Sequence, residues 1–179
     1  MNLETLVLYN CAIKSTNVKK KENKVIPIPN LKSLNLSYNN GIVKDFKDWQ
    51  AVVSSSLLEL TLSNCAILNN KNFTAILLRA PNLEFLDLSG NTQLELNSHL
   101  AECLNNNQIK LRTLLLSGCS YNLDDAPILR LEQLLRLDLS NIFSGMPTTK
   151  FAQILAESYL PCIEVLLLDQ NKIYTVLLT

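Results

Sequence analysis

Leucines recur along this chain at a spacing that no single helix or strand accounts for. The block Leu83-Glu84-Phe85-Leu86-Asp87-Leu88-Ser89-Gly90-Asn91 reads leucine, two variable residues, leucine, one variable, leucine, two variable, asparagine. Related copies begin at Leu3, Leu31, Leu57, Leu83, Leu111, Leu134 and Ile163, separated by 28, 26, 26, 28, 23 and 29 residues. Repeats of this length stack on one another to bury a shared core. Inside each copy the Leu-x-Leu alternation has the period of two that belongs to a strand. The inward pairs are Leu6 and Leu8, Leu34 and Leu36, Leu60 and Leu62, Leu86 and Leu88, Leu114 and Leu116, Leu137 and Leu139, and Leu166 and Leu168. Strands recurring in one direction predict a parallel sheet, with neighbours about 4.8 Å apart.

Parallel strands need crossovers, and several of these have helical spacing. Phe46, Trp49 and Val53 form one set; Phe73, Ile76, Leu77 and Ala80 a second; Leu100, Cys103 and Leu104 a third; Phe151, Ile154, Leu155 and Tyr159 a fourth. Thr148 or Thr149 is the expected N-cap of the last. Pro29, Pro81 and Pro161 each stand two residues before a strand's first apolar residue, where proline ends a helix or fixes an extended approach. Residues 14–30 lack helical periodicity, and the short fifth spacing leaves room only for a turn or short helix around 126–131.

Each copy closes on Cys11, Asn39, Cys65, Asn91, Cys119, Ile142 or Asn171. A buried asparagine there can bond backbone groups of adjacent repeats, and cysteine is a small substitute with a weak donor. Ile142 breaks the series; a one-residue shift would let Asn141 replace it. These repeats resemble the leucine-rich repeat family, specifically the long-repeat class typified by ribonuclease inhibitor, with its alternation of Cys and Asn at the closing position. The resemblance covers nearly the whole chain. It implies an α/β solenoid shaped as a horseshoe, with parallel strands on the concave face and helices and loops on the convex face. It implies one domain over residues 1–179, with about seven repeats, binding through its concave face and carrying no chemistry.

Composition narrows the partner classes. Zero formal net charge gives no overall attraction to nucleic acid or anionic lipid. Five cysteines, without a CxxC pair, argue against a disulfide framework and for reduced thiols in a reducing compartment. No apolar run reaches the roughly 18 residues of a membrane span. A cytoplasmic protein is expected, in a host cytosol if it is a secreted bacterial effector, and the Asn- and Lys-rich composition mildly favours that setting. The apolar run at 173–178 and a first repeat starting almost at Met1 predict a fragment of a longer protein or a non-standard cap.

With the leucines inside, the outward residues fall into columns. One holds Thr5, Ser33, Glu59, Phe85, Thr113, Arg136 and Val165; the next holds Val7, Asn35, Thr61, Asp87, Leu115, Asp138 and Leu167. A third, mostly serine column from Tyr9 through Ser37 to Asp169 is expected to be structural. Apolar side chains with a charged rim are how protein interfaces are built. The expected partner-binding residues are therefore Phe85, Asp87, Leu115, Arg136, Asp138, Val165, Leu167, Glu59 and Tyr38.

Other chemistry finds less support. Lys14, Lys19, Lys20, Lys21 and Lys24 form a basic segment without the aromatics of a nucleic-acid site. His99 and Cys103 share a helix face but make neither a metal site nor a nucleophile pair. Asp87 and Asp138, two strands or roughly 10 Å apart, suit paired carboxylates, yet an open sheet face would leave both charged. The four glycines are isolated, so no phosphate loop is present. No catalytic group, cofactor or metal is expected. The resemblance suggests an inhibitor laid over an enzyme, a segment of a larger receptor or small-GTPase regulator, or a bacterial effector; a structural spacer is the remaining reading.

Overall fold

A computed structural model describes residues 2–12, 28–40, 52–67, 71–105, 110–121, 128–142 and 147–171. The basic segment at 14–24, the expected helix around Phe46 and Trp49, and the apolar run at 173–178 lie outside the described residues. The architecture is α/β, and its centre is a seven-stranded parallel sheet that does not close on itself. In chain order the elements are β1 (Thr5–Val7), β2 (Ser33–Asn35), β3 (Glu59–Thr61), α1 (Lys71–Arg79), β4 (Phe85–Asp87), β5 (Glu95–Leu96), α2 (Ser98–Leu104), β6 (Thr113–Leu115), β7 (Ser120–Tyr121), β8 (Arg136–Asp138), α3 (Thr148–Glu157) and β9 (Val165–Leu167). The large sheet runs β1-β2-β3-β4-β6-β8-β9, so strand order follows chain order.

Register follows the leucines. Leu6, Leu34, Leu60, Leu86, Leu114, Leu137 and Leu166 lie opposite one another across all seven strands. A one-residue slip would turn a buried leucine to the other face, and this penalty holds the register. Leu34, Leu60, Leu86, Leu114 and Leu137 are at most 1% exposed, whereas Leu166, on a strand with one neighbour in the sheet, is 38% exposed.

Five repeats enter their strand through the same tight turn. Leu31, Leu57, Leu83, Leu134 and Ile163 donate their N–H to the carbonyls of Ile28, Ser54, Ala80, Leu131 and Leu160, three residues back. Pro29, Pro81 and Pro161 occupy the second position of this turn, where a fixed φ is favourable. They fix the entry turn, and Pro81 also stands two residues after the end of α1 at Arg79, where a proline stops a helix.

Three of the four expected helices lie within the described residues, as α1, α2 and α3. Helix α2 is capped by Asn97, whose Oδ1 accepts the Leu100 N–H at 2.9 Å. Helix α3 departs from expectation: its N-cap is Pro147, which has no side chain able to accept a bond, so neither Thr148 nor Thr149 caps it. The pairing of β5 with β7, Glu95 opposite Ser120 and Leu96 opposite Tyr121, was not anticipated from the leucine pattern.

The closing residues form the expected chain of side-chain bonds. Asn39 Nδ2 donates to Leu8 O at 2.6 Å, Asn91 Nδ2 to Leu62 O at 2.9 Å and Asn171 Nδ2 to Leu139 O at 2.7 Å, each reaching the preceding repeat. Cys65 Sγ donates to Leu36 O at 3.1 Å and Cys119 Sγ to Leu88 O at 3.2 Å, taking the same place. At Ile142 the series is interrupted, and Leu116 O instead accepts the Cys119 N–H. Asn141 does not take over. The strand keeps its register with Leu137 opposite Leu114, and Asn141 sits exposed in a turn at φ 53°.

Candidate functional site

Eight of the nine expected partner-binding residues share one face of the large sheet. Glu59, Phe85, Thr113, Arg136 and Val165 are register partners in one row, and Thr61, Asp87, Leu115, Asp138 and Leu167 in the next. With neighbours about 4.8 Å apart, the row from Glu59 to Val165 spans roughly 19 Å. Glu59 and Arg136 are exposed, and the other six candidates are partly exposed. The leucines of the same strands face the core, so alternation along each strand places the candidates on the opposite side.

The ninth candidate lies elsewhere. Tyr38 is not on a strand; it occupies the turn after β2 in a left-handed backbone conformation, φ 61°. It is 47% exposed and meets the 54% exposed Tyr9 ring at 5.0 Å between centroids, tilted by 53°. Val7, at the end of β1, is 58% exposed. Of this Val7-Tyr9-Tyr38 surface only Tyr38 stands among the expected site residues; Val7 and Tyr9 appear only in the outward columns.

The acidic candidates do local work as well. Asp87 Oδ1 accepts the Ser89 N–H at 2.9 Å, and Asp138 Oδ1 accepts the Ser140 N–H at 2.9 Å. Asn35 makes the same bond to Ser37. These are Asx turns that end the strand and bend the backbone away. Each aspartate still has a second oxygen available. Among the described residues the ion pairs are Lys32–Glu4 at 3.0 Å and Arg112–Glu84 at 3.6 Å, so Glu59, Asp87, Arg136 and Asp138 are free of such pairing.

The serine column is engaged within the fold. Ser37 and Ser140 are 2% and 8% exposed, Ser63 Oγ donates to Ser37 Oγ, and Asp169 N donates to Ser140 Oγ.

His99 is exposed on α2, while Cys103 is partly buried against the core. Burial, helped by the neighbouring Glu102 charge, pushes the Cys103 thiol up. Burial also raises the Cys65 thiol and carries that of Cys119 to about 12, so all three hold their protons at neutral pH. Protonated thiols are poor nucleophiles and poor metal ligands. Among the described residues no cluster of three or more His, Cys, Asp or Glu is placed to hold a metal ion, and no helix is long and apolar enough to cross a membrane.

In comparison with known proteins, no family model matches the chain and no curated protein sequence matches it.

Proposed function

We propose that this chain is a leucine-rich repeat solenoid of the ribonuclease-inhibitor-like class, and that the outward face of its sheet docks one partner protein. The observation that supports this most is the in-register set of Phe85, Leu115, Val165 and Leu167, interleaved with Glu59, Asp87, Arg136 and Asp138, whose charges form no ion pair among the described residues. Apolar anchors with charges at their rim bind by excluding water at the centre while the rim selects the partner. On this reading the chain is a recognition module rather than an enzyme. It regulates a partner by covering part of its surface, and it needs no cofactor.

The partner is captured by affinity purification and identified by mass spectrometry, then measured against Phe85→Ala and Arg136→Ala. Truncating an interface anchor of either type costs about 2 kcal/mol, so each variant is expected to weaken the complex by roughly thirtyfold. Phe85 is only partly buried and Arg136 is exposed, so urea midpoints should stay near that of the wild type. If both variants retain full affinity for a stoichiometric partner, the docking face is not here.

A further inference from the structure

Beyond the sheet face lies a second surface, built by the turns that follow the strands. In seven repeats one turn residue takes a positive φ: Asn10, Tyr38, Asn64, Gly90, Gly118, Asn141 and Gln170. These residues are stacked by backbone bonds, Asn10 N to Ser37 O, Tyr38 N to Ser63 O, Asn64 N to Ser89 O and onward. Along the first four repeats this edge is hollowed into a groove of about 390 Å³, within the range of small-molecule sites.

We propose that this groove binds a neutral oligosaccharide. Its lining includes Asn10, Tyr38, Asn40, Asn64, Thr92 and Gln93, and none of its residues carries a charge. The side-chain amides of Asn10, Asn40, Asn64 and Gln93 make no hydrogen bond within the described residues. An amide places a donor and an acceptor side by side, the pattern that neighbouring sugar hydroxyls complement. Tyr38 adds an exposed aromatic face on which the apolar side of a pyranose ring can lie, braced by Tyr9.

Gly90 leaves room for the Asn64 side chain on the groove wall. A Cβ there would collide with the Asn64 side chain, and its φ of +72° disfavours any larger residue. Among the described lining residues charged ligands find no counter-ion, and an extended peptide finds no large aliphatic side chain to pack against. An uncharged ligand dense in hydroxyls matches the lining better than either.

The inference is independent of the docking face and is tested separately. The isotopically labelled chain is titrated with neutral tri- to hexasaccharides of the glucan, mannan and chitin types, with acidic glycans and an unstructured Gly-Ser peptide as comparisons, and amide NMR shifts are followed. At least one neutral series should move Tyr38, Asn64 and Gln93, with an affinity that does not change with salt. Tyr38→Gly and Asn64→Gly fall at positive φ, where glycine is favoured, so lost binding cannot be ascribed to a strained fold. Tyr38→Gly should weaken binding about tenfold and Asn64→Gly about fivefold, while Phe85→Ala leaves it unchanged. No response to any neutral sugar, equal binding of acidic glycans or peptide, or full affinity in the Tyr38→Gly, Asn64→Gly double variant would each overturn the assignment.

Discussion

Removing the amide of Asn91 would strand four backbone groups at once. Its Nδ2 donates to Leu62 O at 2.9 Å and Leu88 O at 2.6 Å, and its Oδ1 accepts from Cys65 N and Ile67 N at 3.0 Å. The residue is fully buried, so water cannot replace these partners. Leaving buried polar groups unmatched costs about 1–3 kcal/mol apiece, and Asn91→Ala is expected to lose at least about 3 kcal/mol of stability by urea unfolding. Asn91→Cys should lose less, because Cys65 and Cys119 show that a thiol in this position still reaches the preceding repeat. Equal losses in the two variants would show that the inter-repeat donor contributes nothing. The same residue-scale logic explains why the closing position alternates between Asn and Cys without loss of register. One donor toward the previous strand is the shared requirement, and Ile142 is the point where that donor is missing.

Strands and helices differ in how openly the chain announces them. Each strand of the large sheet is only three residues long, yet all seven were legible, because Leu-x-Leu sets the period and burial penalises any slip. The eight clustered candidates followed from that same alternation, since the residues on either side of an inward-facing strand leucine point to the opposite face. Tyr38 did not follow. It lies past the end of β2, where alternation stops and a left-handed turn re-aims the side chain, and only its recurrent position one residue before the closing Asn or Cys hinted at this. The groove along the turns was missed for the same reason: it depends on backbone conformation rather than on hydropathy. Capping was read only in part. Thr148 and Thr149 are ordinary cap residues but fall inside α3, whereas Asn97 was overlooked although it directly precedes α2. The expected consequence is that Asn97→Ala lowers stability by about 1 kcal/mol, with the greatest gain in amide exchange at the first turn of α2. A variant whose Leu100 amide exchanges no faster would remove Asn97 from that role.

Across the whole molecule the buried thiols link stability to alkaline pH. Cys119 is 4% exposed, and burial raises its ionisation from the ordinary value near 9 to about 12; Cys65 is shifted in the same direction. Below pH 9 the native and unfolded chains both hold these protons, so neither thiol makes stability depend on pH. Between 9 and 12 the unfolded chain releases the Cys119 proton while the native chain retains it. The unfolded state then binds fewer protons, and stability must fall as pH rises, by at most about 1.4 kcal/mol per pH unit for this thiol. Lysines and tyrosines also titrate in this window, so the informative quantity is the difference between the wild type and Cys119→Ala. That variant loses the Sγ bond to Leu88 O and should be less stable at pH 8, but its urea midpoint should decline less steeply from pH 9 to 11. Parallel declines would mean that the Cys119 thiol ionises as readily inside the fold as outside it. That result would contradict a dry core beneath the sheet at this position.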